Sequence, residues 1–180
     1  PTQWVGPIKI IGDVLDAEVS VPLATYETPL WPSTGRGARV SRLCDGIRCT
    51  LVDERMTRSI VLRASDGGAA HRAWIALEAR FDELAELVAQ TSRFTRLIAI
   101  NRQIVGNLLF IRFECSTGDA AGHNMVTKAA DVLIGWILEQ YPDLAYGSIS
   151  GNFCTDKKAS AVNTILGRGK YVVADILIPR

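Results

Sequence analysis

The chain has 180 residues, 48% hydrophobic and 22% charged, an ordinary balance for a globular protein of one domain or two small ones. A chain of this length can remove roughly 70% of its unfolded surface from water, so a real core is expected. Twenty basic side chains face 19 acidic ones, which leaves no whole-protein field to draw in nucleic acid or an anionic membrane; partners must be read from local sites.

In chain order, "GPIKIIG" and "AEVSVPLATYE" read as short strands. From Gly35 to Leu51 the residues Val40, Leu43, Ile47 and Leu51 recur at spacings of three and four, which predicts a helix. "MTRSIVLRA" is rich in β-branched residues and reads as a strand. After a turn at Ser65–Gly68, one long helical face carries Trp74, Leu77, Phe81, Leu84 and Val88. "FTRLIAI" and "NLLFIRFEC" are strands joined by a turn at "VGN"; in the second, Leu109, Ile111, Phe113 and Cys115 alternate with Phe110, Arg112 and Glu114. A further helix presents Val126, Ala129, Leu133, Trp136 and Ile137 on one side, and "AYGSIS" is a short strand.

Residues 60–147 therefore read as β-α-β-β-α-β, the order of a ferredoxin-like unit. The flanks, 1–59 and 148–180, then form parts of a second body into which this unit is inserted, an α+β fold. No stretch approaches about 18 consecutive apolar residues and no signal peptide is visible. The cysteines, Cys44, Cys49, Cys115 and Cys154, form no CxxC and have no histidines at ligand spacing, so no metal site is expected and a reducing compartment fits.

Four segments carry chemistry. "VPLATYETPLWPSTGRG" holds one acid, Glu27, among apolar and small residues; such surroundings disfavour the charged form and suit a general acid, although a strand-end glutamate facing water has the same pattern. "SGNFCTDKKASAVN" sets Asp156, Lys157 and Lys158 side by side before a helix. Lysines are out of place at a helix start unless an anion compensates them, and a solvated cap is the plainer alternative. "STGDAAGHNM" leads small residues into a helix N-terminus, whose free N–H groups suit a phosphate, without matching GxGxxG. "TSRF" puts Ser92 beside Arg93, a hydroxyl and a guanidinium fit for a phosphate monoester or simply for the surface. Nucleophile elbows, P-loops and H-E-x-x-H are absent.

Taken together and in order, "GPIKI", "VPLATYE", "STGRG", "MTRS", "TSRF", "LFIRFECSTGDAAGHNM", "SISGNFCTDKKASAVN" and "GRGK" resemble the catalytic region of the 3-hydroxy-3-methylglutaryl-CoA (HMG-CoA) reductase family. The resemblance covers nearly the whole chain. It implies a large substrate domain, present in part as 1–59 and 148–180, and an inserted small NADP(H)-binding domain at 60–147. It implies NADPH-dependent reduction of HMG-CoA to mevalonate and coenzyme A by two hydride transfers. Glu27 would donate protons and Lys157 would stabilise the oxyanion. Arg58, Ser150, Asp156 and Lys158 would hold the hydroxymethylglutaryl portion, and Ser33 and Arg36 would face coenzyme A. Ser92 and Arg93 would meet the 2′-phosphate of NADPH, with Phe94, Asp119, Ala120, Gly122, His123, Asn124 and Met125 in the same cofactor-binding set.

A homodimer or higher homo-oligomer with the site between subunits is implied, in the cytoplasm, any membrane anchor lying upstream of Pro1. A further aspartate and a late histidine would come from sequence beyond Arg180. The alternative is a truncated or degenerate relative that binds coenzyme A or the nicotinamide cofactor without turnover. Local departures from the family pattern are Tyr26 and Thr28 around the acid, Gly35 in place of asparagine, His123 in place of methionine, and Ser59–Ile60 after "MTR".

Overall fold

The computed structural model describes residues 1–155 and 158–179 and has a mixed α/β architecture. The chain divides into two compact units, one made of residues 1–53 with 171–180 and the other of residues 54–170.

In the first unit, β1 (Thr2–Gly12) pairs antiparallel with β2 (Ala17–Ala24) and parallel with the start of β3 (Ile47–Arg63), where Ile10 lies opposite Ile47. Helix α1 (Leu30–Leu43) packs on β1. Its start admits Pro32 because the first turn has no intrahelical N–H bonds to lose. Side chains tie helix to strands: Lys9 N–H donates to Ser41 Oγ at 3.1 Å, and Trp31 Nε1 donates to the Leu23 carbonyl at 2.8 Å.

The helix expected over Gly35–Leu51 is thus displaced. It begins at Leu30 and stops at Leu43, because Asp45 (φ 63°) and Gly46 (φ 105°) take left-handed conformations that end it. Ile47 and Leu51, spaced by four, belong instead to a strand, in which both lie on one side.

The second unit is a four-stranded antiparallel sheet in the order β6-β3-β5-β4, with β4 at Arg96–Val105, β5 at Leu108–Ser116 and β6 at Ala145–Ile149. Three helices cover one face: α2 (Gly67–Glu78), α3 (Phe81–Thr91) and α4 (His123–Gln140). The single long helix expected from Trp74 to Val88 is two, parted at Ala79–Arg80. Both present the same apolar face, with Trp74, Leu77, Leu84 and Val88 all buried, so the break leaves the periodicity unmarked. Asp66 caps α2 by accepting from Ala69 N–H at 2.8 Å.

The core lies between this sheet and its helices, built from Ile60, Leu62, Leu109, Ile111, Phe113 and Cys115 beneath Trp74, Val88, Val126, Leu133 and Ile137. The alternation read in "LLFIRFEC" holds residue by residue. Cys115 is buried there, and burial pushes its thiol up to about 12, with the Glu114 charge adding to it.

The opposite face is polar. Thr57, Ser59, Arg112 and Glu114 are all fully buried, although none is apolar. Past β6 the chain turns back over this face, through the short helix α5 (Ala161–Leu166), and ends the unit at the start of β7 (Gly169–Asp175). Phe153 meets Phe110 edge to face at 6.4 Å, and Arg112 donates to the Gly167 carbonyl. Among the described residues no helix is long and apolar enough to cross a membrane.

Candidate cofactor cleft and substrate-binding segment

The loop between β5 and α4 gathers the first set of candidates. Thr117 Oγ1 donates to the Ala120 carbonyl at 2.8 Å and folds the loop back on itself. Gly122 caps α4 at φ 83°, and a Cβ there would stand 2.5 Å from Thr117 Cγ2, so only glycine fits. The result is a helix start with no side-chain cap, its first N–H groups left for another acceptor. Asp119, Ala120 and Asn124 are exposed, while His123 and Met125 are half-buried.

A cleft of about 390 Å³ opens beside this loop, lined by Thr117, Asp119, Ala120, His123 and, across it, Arg55, Arg168 and Lys170. Lys170 Nζ bonds Glu54 Oε1 at 2.5 Å on its rim.

The second candidate segment, "TSRF", follows α3 and comes to the same loop. Ser92 Oγ accepts from Phe94 N–H at 3.1 Å, and the Arg93 guanidinium lies 5.5 Å from the Phe94 ring centre. Phe94 stands against Gly118: a Cβ built there would be 3.8 Å from Phe94 Cβ. Its ring is 61% exposed, an apolar surface held next to a guanidinium and a glycine-rich turn. Lys128 of α4 donates to the Thr91 carbonyl at 3.1 Å and fastens the two segments together. Two stretches more than twenty residues apart in sequence thus form one surface of exposed amides, one arginine and one flat ring.

Glu27, Ser33 and Arg36 belong to the first unit, at the start of α1. Glu27 N–H donates to Thr25 Oγ1 at 2.9 Å, and its carbonyl accepts from Leu30 N–H at 2.9 Å. Its side chain is exposed, as in the water-facing alternative that its sequence pattern allows. Ser33 bonds the Leu30 carbonyl at 3.1 Å, and Arg36, one turn on, is exposed.

Arg58 and Ser150 belong to the second unit, Arg58 on β3 opposite Phe113 and Ser150 just past β6. Lys158 is exposed. Asn163 Nδ2 donates to the Thr155 carbonyl at 3.0 Å and, more weakly, to that of Lys158 at 3.5 Å. Asp156 and Lys157 lie outside the described residues.

The ion cluster beneath this segment was not singled out from sequence as a site. Glu114 accepts from Arg112, from Arg55 and from Asn101 Nδ2, the last at 2.8 Å. Burial pulls the Arg112 guanidinium below the ordinary arginine range, and the Glu114 carboxylate pulls it back up. Arg112 and Glu114 occupy alternate positions of an apolar strand, and that pattern is the signal that points to a buried pair. Arg168 and Lys170, in "GRGK", had no chemical signal beyond their charge.

The fold is similar to that of a class II HMG-CoA reductase from Streptococcus pneumoniae, solved bound to NADPH in open conformations. The TM-score is 0.62 over 87% of this chain and 43% of that one, at 19% identity, which establishes the fold alone. A family model described as hydroxymethylglutaryl-coenzyme A reductase matches residues 1–180. The chain is 41% identical over 181 residues to the 3-hydroxy-3-methylglutaryl-coenzyme A reductase of Pyrococcus horikoshii, covering 100% of this chain and 44% of that protein. The enzyme of the same name from Blattella germanica is also 41% identical over 181 residues, covering 99% of this chain and 21% of its own length. The chain belongs to the hydroxymethylglutaryl-coenzyme A reductase family, and it spans less than half the length of these relatives.

Proposed function

We propose that this protein carries out the NADPH-dependent reduction of HMG-CoA to mevalonate and coenzyme A. The observation that carries the reading is the meeting of "TSRF" with the glycine-rich loop at the start of α4. The surface fits a phosphorylated dinucleotide: helix-end amides and a glycine with no room for a side chain suit a diphosphate, Arg93 suits a 2′-phosphate, and the Phe94 face suits a flat ring. Two equivalents of the cofactor, bound in turn, would each supply one hydride.

The residues divide the remaining work. Ser92, Arg93, Phe94, Asp119, Ala120, Gly122, His123, Asn124 and Met125 hold and orient the cofactor. Arg58, Ser150, Asp156 and Lys158 bind the hydroxymethylglutaryl portion, and Ser33 and Arg36 face coenzyme A. Lys157 holds its ammonium at the thioester oxygen as negative charge grows there, and Glu27 delivers the proton. Residues 60–147 form a ferredoxin-like cofactor domain inserted into the substrate domain of 1–59 and 148–180, a proposal supported by the strand order β6-β3-β5-β4.

The exposure of Glu27 supports a site completed by a second copy, as a general acid needs shelter from water. Four free thiols favour a cytoplasmic setting. The test is NADPH oxidation dependent on HMG-CoA by the protein at its full natural length. Lys157→Ala is expected to lower the rate by about 10²–10³, the usual cost of removing an oxyanion donor. Near-normal turnover in that variant removes Lys157 from its role. Cofactor binding with no turnover in the unsubstituted protein selects the binding-only alternative.

A further inference from the structure

The β3–β6 ladder runs antiparallel from Arg63 opposite Ala145 to Ile60 opposite Ile149. One residue beyond, it ends in a clasp made in both directions. Ser150 N–H donates to the Ser59 carbonyl at 2.6 Å, and Ser59 Oγ donates to the Ser150 carbonyl. Ser59 is fully buried, at the position opposite Arg112 on β5. A main-chain ladder needs only the first of these bonds; the second requires a hydroxyl at residue 59.

The clasp holds an unusual backbone. Ser150 sits at φ 89°, in the left-handed region that a serine seldom enters, and Gly151 (φ 48°) and Asn152 (φ 59°) continue the reversal. Gly151 is pressed onto the sheet: a Cβ there would come within 2.1 Å of Val61 Cγ2. The chain therefore leaves β6, reverses at Ser150 and lies flat on the polar face. Ser59 bonds both polar backbone groups of the residue that sets this reversal.

The Ser150 side chain is treated differently. Its one recorded contact among the described residues is Cys154 Sγ at 3.8 Å, a weak partner for a hydroxyl. The backbone of Ser150 is satisfied and fixed, while its hydroxyl keeps its bonding capacity for a ligand. We infer that Ser59 is a positioning residue for substrate recognition. By gripping the Ser150 backbone in its left-handed conformation, it aims the Ser150 hydroxyl at the hydroxymethylglutaryl group. The inference rests on the proposed function and deepens it.

The experiment is a double-mutant cycle between Ser59→Ala and Ser150→Ala in the full-length protein, following kcat and the KM values for HMG-CoA and NADPH. Ser59→Ala is expected to raise KM for HMG-CoA by about three- to tenfold, the worth of one hydrogen bond, leaving kcat and KM for NADPH nearly unchanged. In the Ser150→Ala background the same substitution is expected to cost nothing more, since the hydroxyl it aims is gone. Additive effects, or an unchanged KM in Ser59→Ala, overturn the inference while the proposed function stands. If Ser59→Ala does not fold, Ser59→Cys, close in shape with a far weaker donor, takes its place with the same two outcomes. An unsubstituted protein that fails to reduce HMG-CoA, or a Ser150→Ala variant with normal KM, overturns the proposed function and the inference with it.

Discussion

On one face of the β6-β3-β5-β4 sheet, Ile60, Ile111 and Phe113 meet helices; on the other, one residue along, Ser59, Arg112 and Glu114 meet a segment that carries candidate site residues. Both faces are equally dry, for Arg112 and Glu114 are as inaccessible as Ile60. What differs is how each specifies its cover. Apolar contacts hold a helix anywhere that volume and shape allow. A buried carboxylate shared by two arginines, a guanidinium on the Gly167 carbonyl and a serine clasp admit one placement of the chain. The helix face supplies cohesion, and the polar face supplies position.

Substitutions that separate the two should behave differently. The largest loss is expected from Arg112→Met, which leaves the buried Glu114 with Arg55 and Asn101 alone and releases Gly167; removing one member of a buried ion pair costs about 3–5 kcal/mol. Denaturant unfolding measures it, and adding Glu114→Leu should recover part of the loss. If both single variants are neutral, position on this face does not come from charge. Next is Leu133→Ala under the helix face, where truncating a fully buried leucine costs about 2–5 kcal/mol. In a folded Leu133→Ala protein KM for HMG-CoA should be unchanged; a raised KM would mean that cohesion and position are not separate.

The last effect is absent at neutral pH and appears only in alkali. Cys115, ordinarily at 9.0, is pushed up to about 12 by burial, so its neutral form is favoured in the folded protein. That contribution is fully present below pH 9 and is lost as pH climbs from there toward 12, by about 1.4 kcal/mol per unit from this one group. Cys115→Ala should flatten this limb, and native Cys115 should resist iodoacetamide at neutral pH until the protein unfolds.

The helix face was the legible one. Alternation in "LLFIRFEC" assigned β5 and its inward side, because burial on one side of a strand writes itself as a period of two. Where period and turn chemistry conflicted, reading failed: Val40, Leu43, Ile47 and Leu51 keep helical spacing across a turn at Asp45–Gly46 that has the residues to break it. The parting of α2 from α3 at Ala79–Arg80 carries neither glycine nor proline and leaves no mark. On the site, motif order drew attention to "TSRF" and the glycine-rich loop, which the fold then brings into contact. Of the polar face only the alternation of Arg112 and Glu114 was visible; the bond from Ser59 joins it to Ser150 beyond another strand, and local spacing holds no trace of it. Glu27 shows the converse, a carboxyl whose apolar sequence neighbours leave it in water.

Strand β3 lies between β5 and β6, and both are encoded after it. On a translating ribosome it emerges first and finds neither neighbour until a hairpin and a further helix have followed it out of the exit tunnel. For that interval the Met56–Arg63 part of the strand, beyond its pairing with β1, has two open edges exposed to the cell, the kind of segment that nascent-chain chaperones shield. Slow-codon placement or chaperone supply during expression should therefore bear on yield through this one strand.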